Sequence, residues 1–173
     1  MSTVDDNTAQ LVPTPRGGRI AGLNFLGTAM FAVVVAVAVP LRDERPAQVA
    51  VAVVSLVLFA VGVALSLWAY AVAVERSRRD EIGVANLFLL TGPTAPPRVK
   101  RTMTGALAAQ VVVAVTGAAL GMRGLGAQQL NALAFGVLVP MLGIGTNGAW
   151  AARYGAFGPR LSERRAAPRR SSP

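Results

Sequence analysis

Long uncharged apolar stretches recur four times along the chain. No Asp, Glu, Lys or Arg occurs in residues 20–41, 46–74, 102–122 or 124–152, and each stretch has at least 21 residues. About 20 apolar residues in a helix are enough to cross the hydrocarbon core of a bilayer. The pattern therefore predicts an all-α protein with a transmembrane domain over residues 20–152. Its four helices are predicted at about 20–40, 47–74, 102–122 and 129–152.

The overall composition favours the same class of protein. Hydrophobic residues make up 53% of the chain and charged residues 14%, whereas roughly a quarter of an average soluble domain is charged. A soluble alternative would require all four stretches to be core helices with almost no polar surface. We therefore interpret the chain as a multi-pass membrane protein.

Both ends of the chain are polar. Residues 1–19 lack periodic apolar positions, and residues 153–173 are basic and contain prolines, so both are predicted to be disordered tails. Because Arg16 and Arg19 precede the first apolar stretch, a signal peptide cleaved near Ala38 is an alternative. That stretch is longer than the usual apolar core of a signal peptide, which favours an uncleaved first helix.

The segment 75–101 divides the chain into two similar halves. It reads ERSRRDEIGVANLFLLTGPTAPPRVKR and includes an apolar stretch, residues 82–90, that is too short to span a membrane. This stretch is predicted either to lie flat as an interfacial helix, with Ile82, Phe88 and Leu89 in the acyl boundary, or to tuck beneath the long helices and cover their ends. The predicted fold is a four-transmembrane-helix bundle in which two helical hairpins are joined by this segment.

The positions of Lys and Arg predict the orientation. Four spans place both tails and the segment 75–101 on one side, which carries fourteen of the seventeen basic residues, and the two short loops carry three. Basic residues are enriched on the cytoplasmic side. We expect a plasma-membrane protein with both termini and residues 75–101 in the cytoplasm. The basic residues there that we expect to contact anionic lipid headgroups are Arg76, Arg78, Arg79, Arg98, Lys100 and Arg101.

Small and polar residues recur every four positions in the first and third helices. Such stripes mark close helix contacts in lipid, where apolar faces gain little by associating. We expect packing within the chain, with homodimerisation as the alternative, and we expect Gln110 to hydrogen-bond a neighbouring helix. The residues predicted to pack are Asn24, Thr28, Gly105, Ala109, Gly117 and Gly121.

The fourth helix contains a proline near its centre, at Pro140. Proline removes a backbone donor and usually kinks a helix. Four glycines, Thr146 and Asn147 lie close to it. This region is predicted to be either a hinge or polar pocket, or a kinked packing helix in which Asn147 bonds across to another helix.

The residue types present exclude most enzyme chemistry. The chain has no cysteine and no histidine, and none of its eight carboxylates lies within an apolar stretch. We predict no catalytic, metal or cofactor site, and therefore no enzyme. A coupled carrier usually places a carboxylate in the membrane. The basic segments also lack the interleaved aromatics of single-strand nucleic-acid binders, so no nucleic-acid partner is expected.

Two segments carry a family resemblance, DEIGVANLFLL and GTNGAWAARYGAFGPR. With the Ala-, Val- and Arg-rich composition, they make the chain similar to small uncharacterised four-helix integral membrane proteins of actinobacteria. The segment GLNFLGT, with size and helix count, also resembles four-helix proteins that translocate lipid-linked sugars. The sequence predicts a non-enzymatic accessory or scaffold subunit, bound to a larger membrane protein or to itself. The alternative is a small oligomeric translocator or channel-like subunit for a small or lipid-linked substrate.

Overall fold

A computed structural model of the protein describes residues 17–122 and 131–159. These residues are mainly helical, and two very short strands complete the secondary structure of the described part. In chain order the elements are α1 (Gly18–Ala38), α2 (Arg45–Arg76), β1 (Asp80–Glu81), α3 (Val84–Phe88), α4 (Pro97–Gly121), a 3-10 helix (Ala132–Leu138), α5 (Pro140–Tyr154) and β2 (Gly158–Pro159).

Four helical stretches are long and apolar enough to cross a membrane. They are α1, α2, α4 and the combined stretch Ala132–Tyr154, so the predicted number of candidate spans is confirmed. The 32 residues of α2 give a length of about 48 Å, more than a hydrocarbon core of about 30 Å requires. The third span begins five residues earlier than predicted, because Pro97 is well tolerated in the first turn of a helix.

The outer surface is apolar and much of the interior is small or polar. Phe25, Leu67 and Val112 are each more than 60% exposed, whereas Ser55 and Gln110 are fully buried. In water this arrangement would be costly, because it exposes large hydrophobic side chains. In lipid it is favourable, since large apolar side chains face the hydrocarbon and small residues allow close helix contacts.

Helix α5 is the most buried of the long elements. Every residue from 145 to 152 is buried, and α5 contacts α1, α2, α3 and α4. The closest approach is to α2. A Cβ atom on Gly62 would lie 2.5 Å from the backbone nitrogen of Leu142, and a Cβ on Gly145 would lie 2.9 Å from the carbonyl carbon of Gly62. Only glycine permits two helix backbones to approach so closely.

The segment after α2 folds against the end of α5. Leu87 is 2% exposed and Leu90 is fully buried, in one apolar cluster with Trp150. Leu89 is half exposed. Of the two interpretations of this stretch, the tucked arrangement therefore describes the structure. Leu90 has a left-handed backbone, φ 53°, which costs roughly 1–2 kcal/mol for a residue with a Cβ, and its burial offsets that cost.

Strands β1 and β2 tie the two halves of the chain together. They are antiparallel, with Asp80 opposite Pro159 and Glu81 opposite Gly158. The amide of Ala156 also donates a hydrogen bond to the carbonyl of Thr94. Residues 153–159 are therefore ordered, and the tail predicted to start at 153 does not start there.

Several predictions lie outside the described residues. They concern the tails over 1–16 and 160–173 and the short loop over 123–130. At the first of these boundaries, α1 begins at Gly18, within the predicted tail. Gly17 precedes it with φ 91°, and a Cβ there would lie 2.7 Å from Cδ1 of Trp150. Both the backbone conformation and the space at position 17 require glycine.

Candidate functional site

The fourth apolar stretch is interrupted at Pro140, where a 3-10 helix ends and α5 begins. Proline cannot donate a backbone hydrogen bond. The carbonyl of Gly136 instead accepts a bond from the amide of Val139 (3.0 Å), and the carbonyl of Val139 accepts from Leu142 (2.8 Å). Gly143 follows in the first turn of α5.

The side chain of Gln110, on α4, binds this turn of α5. Its Oε1 accepts a hydrogen bond from the Gly143 amide at 3.1 Å. Its Nε2 donates to Oδ1 of Asn24 at 2.9 Å and to Oγ1 of Thr28 at 2.8 Å. Gln110 is fully buried, so its side chain joins α1, α4 and α5 inside the protein. The expected hydrogen bond from Gln110 to a neighbouring helix is therefore present.

Thr146 and Asn147 are both fully buried. The Thr146 hydroxyl donates to the carbonyls of Leu142 and Gly143 in its own helix. Asn147 donates from Nδ2 to the carbonyl of Phe88 at 3.2 Å, and Phe88 also lies against Gly148. The two polar residues thus have separate roles, since Thr146 supports α5 and Asn147 holds the short helix α3 to it.

Two buried polar atoms in this region have no hydrogen-bond partner among the described residues. They are Nδ2 of Asn24 and Oδ1 of Asn147. Both belong to neutral amides, and the described part of the chain contains no group of three His, Cys, Asp or Glu side chains that could hold a metal ion. Amides can orient a polar molecule by hydrogen bonding, but they do not serve as general acids or bases at neutral pH.

The predicted stripe on α4 does not form one contact face. A Cβ on Gly117 would lie 2.9 Å from Cγ1 of Val35, and one on Gly121 would lie 2.9 Å from Cδ1 of Leu133. In contrast, Gly105 and Ala109 are exposed, and a Cβ on Gly105 would meet nothing within 4 Å.

The geometry of an α-helix explains why this stripe divides. A four-residue step overshoots one turn by about 40°, so four such steps rotate the stripe by about 160° between positions 105 and 121. The face of α4 that is buried uses steps of seven, four and three residues instead. It consists of Met103, Gln110, Ala114, Gly117 and Gly121.

Arg76 differs from the other basic residues predicted to contact headgroups, because its guanidinium makes several contacts within the chain. It donates to the carbonyl of Ala152 at 2.7 Å and to that of Gly155 at 3.4 Å. It also pairs with Asp80 at 3.2 Å and lies 5.2 Å from the ring centre of Phe157. Arg76 therefore caps the carboxyl end of α5, where a cation is favourable.

The other predicted headgroup contacts lie at the surface. Arg78, Arg79, Arg98 and Arg101 are exposed, and Lys100 is half-buried. Arg78 and Arg79 line an open groove of about 790 Å³ at the end of α2.

Trp150 lies inside the protein, unlike the aromatic residues on α2. It is 4% exposed and packs at 5.9 Å, between ring centres, against Tyr154. Trp68 and Tyr70 on α2 are exposed, at 41% and 58%, as expected for aromatic side chains at the headgroup level.

The contact between Gly62 and Gly145 is the main feature that the sequence reasoning missed. A seven-residue spacing of small residues, Ser55, Gly62 and Ala69, marks the buried side of α2. That spacing keeps a constant face along a helix far better than four-residue steps do. It could have identified Gly62 as a contact position.

Comparisons with known proteins found no relative of this chain. No protein-family model matches the chain, and neither a curated protein nor a solved structure is significantly similar to it. The resemblance to small actinobacterial membrane proteins stays a prediction.

Proposed function

We propose that this protein is a multi-pass integral protein of the plasma membrane and a non-enzymatic accessory or scaffold subunit of a larger membrane assembly. Its four spans would form a bundle of two hairpins, α1 with α2 and α4 with the 3-10 helix and α5. This arrangement would place fourteen of the seventeen basic residues on one side, which supports cytoplasmic termini.

The close packing of α5 carries the proposal. A conduction path through residues 140–147 would need space beside Thr146 and Asn147, yet both are fully buried. Across the contact with α2, a Cβ on Gly62 or Gly145 would overlap backbone atoms. Helices held this tightly cannot separate without losing contacts along their length. The region therefore suits a fixed packing core better than a pore.

The outward face of α4 suits a partner helix. Gly105 and Ala109 are exposed there, whereas α1 presents large side chains such as Phe25 and Leu26 to the outside. In lipid, small residues let a second helix approach closely, and large ones contact acyl chains. The partner of this face would be a transmembrane helix of another protein or of a second copy.

Native co-purification tests the scaffold proposal. The full chain, tagged and extracted from its own membrane in mild conditions, is expected to bring down one larger membrane complex at fixed stoichiometry. The variant Ala109→Leu is expected to lose that complex. Ala36→Leu is the matched control, because Ala36 is also an exposed alanine, on α1. Recovery of the wild-type protein alone, or equal losses with both variants, would contradict the proposal.

A translocator is the second candidate, and it is favoured by the amide atoms of Asn24 and Asn147 that have no partner among the described residues. Buried polar groups without partners are costly unless something binds them. If the protein is a translocator, proteoliposomes should show ion or small-dye flux that the double variant Pro140→Ala with Asn147→Leu abolishes at normal membrane abundance. Absence of flux from the wild-type protein would remove this candidate.

A further inference from the structure

The groove at the cytoplasmic end of α2 combines an apolar wall with a charged floor. Ala71 and Val74 form the wall, and the other lining residues are Glu75, Arg76, Arg78, Arg79 and Asp80. The groove is open and has a volume of about 790 Å³.

Not all of its charges are available to a ligand. The pair of Arg76 with Asp80 is the one ion pair within residues 17–122 and 131–159, and the same guanidinium also holds two carbonyls at the end of α5. Arg78 and Arg79 are exposed, and neither side chain forms a hydrogen bond or an ion pair with another described residue. The charges of Arg76 and Asp80 cancel, and Glu75 offsets one of the two free arginines. The groove therefore has a net charge of +1.

The apolar wall continues into the surface of α2 that faces lipid. Leu67 and Val74 lie on one side of α2, seven residues apart, and Arg78 follows in the turn after the helix. Leu67 is 65% exposed and Val74 is 51% exposed. A molecule bound here would therefore have apolar side chains along one part of its length and two free guanidinium groups at one end.

We infer that this groove is a binding site for one anionic glycerophospholipid, with its acyl chain along Leu67 and Val74 and its phosphate between Arg78 and Arg79. Guanidinium groups bind phosphate oxygens through paired N–H donors. The inference rests on the membrane placement in the proposed function and deepens it, because it separates two ligand residues from the six basic residues predicted to contact headgroups. It does not depend on the scaffold role.

The expected selectivity follows from the net charge. A basic residue near an anionic surface contributes about 1 kcal/mol, which is about fivefold in affinity. With a net charge of +1, the groove is expected to prefer an anionic to a zwitterionic lipid by about fivefold. Neutralising both arginines leaves Glu75 unopposed, so the preference should then disappear.

Trp68 provides a local probe of the groove. It is 41% exposed and lies three residues before Ala71 on the same side of α2, about 5 Å deeper along the helix. The other tryptophan, Trp150, is 4% exposed and contributes a shielded background. Bromine atoms on the acyl chains of a lipid in the groove should therefore quench mainly Trp68.

The experiment uses the purified full-length protein in phosphatidylcholine vesicles. Quenching by dibrominated phosphatidylglycerol is compared with quenching by dibrominated phosphatidylcholine at equal mole fraction. Wild type should show the fivefold preference, and the double variant Arg78→Gln with Arg79→Gln should lose it. The double variant Arg98→Gln with Arg101→Gln is the control, because it removes the same charge from the exposed start of α4. Circular dichroism verifies that all three proteins are folded.

Three outcomes would overturn the site. They are no preference in the wild type, an unchanged preference in the Arg78 and Arg79 variant, or equal losses in both variants, which would indicate only a diffuse surface potential. If the Arg78 and Arg79 variant kept the preference for anionic lipid, an acidic protein segment would be the better candidate ligand for the groove. The assay contains no partner protein, so its failure is separate from a failure of the co-purification experiment.

Discussion

Substitution of Gly145 by alanine tests the central contact of the fold. The added Cβ would lie 2.9 Å from the carbonyl carbon of Gly62, whereas carbon atoms in contact are normally 3.5–4.0 Å apart. The obstacle is backbone, so no side chain can rotate away. The helices α2 and α5 must separate by roughly 0.6–1 Å, and such a gap forfeits about a quarter to a half of each contact energy.

The same movement would strain two hydrogen bonds that hold α5. They join Gly143 to Gln110 at 3.1 Å and Asn147 to Phe88 at 3.2 Å. Interhelical hydrogen bonds in a membrane protein contribute about 0.6 kcal/mol each on average. Over-packing costs typically about 1–3 kcal/mol. We therefore expect Gly145→Ala to lower the free energy of unfolding by about 3 kcal/mol.

Two other glycines provide a graded control series. Gly143→Ala would place its Cβ near the side chains of Gln110 and Leu107, which can move, so its cost should be smaller, about 1 kcal/mol. Gly105→Ala meets nothing within 4 Å, and alanine is the better helix former by up to about 1 kcal/mol. That variant should be neutral or slightly stabilising.

Unfolding by titration of SDS into mixed micelles, followed by circular dichroism, measures these differences. The expected order of stability is Gly105→Ala at or above wild type, then Gly143→Ala, then Gly145→Ala. The double variant Gly62→Ala with Gly145→Ala should cost less than the two single losses combined, because both act on one contact. A Gly145→Ala protein as stable as Gly105→Ala would refute the close approach of α2 and α5.

Three further predictions concern the polar core, the segment after α2 and the orientation. Gln110→Leu removes the hydrogen bonds to Gly143, Asn24 and Thr28 and should lower the free energy of unfolding by about 2 kcal/mol. Thr116→Val, on the exposed side of α4, should change it by less than about 0.5 kcal/mol, and SDS titration compares the two. Leu90→Ser should make residues 75–101 sensitive to protease while the half-exposed control Leu89→Ser does not, and equal cleavage would count against the tucked arrangement. A reporter fused at the C-terminus should be active only in the cytoplasm, and activity on the opposite side alone would reverse the assigned topology.

The number and type of the long helices could be predicted from one property, the length of each uncharged apolar stretch. Four stretches lack charge over the length that a bilayer demands, and no knowledge of neighbours is needed. The break at Pro140 is predictable for the same reason, since the missing donor belongs to the residue itself.

Contacts between helices were harder to predict, because they depend on how each helix is rotated about its axis. In the sequence, every position of the four-residue stripe that begins at Gly105 looked like a helix contact. Only the second half of the stripe meets other helices. Gly62 lies on a seven-residue spacing of small residues, but its importance comes from the backbone of α5 opposite. Sequence spacing gives the relative angle of residues on one helix but not the direction of the neighbouring helix.

The roles of the charged residues show a similar limit. Arg76 and Arg78 are two positions apart and look alike in the sequence. Only the folded chain brings the end of α5 to one of them and leaves the other at the surface. The same holds for Leu89 and Leu90, of which one is half exposed and the other fully buried.

The burial of α5 has a consequence for how the protein is made. Its stretch, Ala132–Tyr154, is the least hydrophobic of the four candidate spans and the most enclosed by other helices. Glycine, threonine and asparagine gain little from lipid, so this stretch would leave the insertion machinery slowly by itself. The three candidate spans that precede it in the chain already present the surfaces that receive it. Changes at Gly62 should therefore impair biogenesis. A precursor should accumulate in the membrane with its last helix not yet packed, even at expression levels where the purified variant still folds.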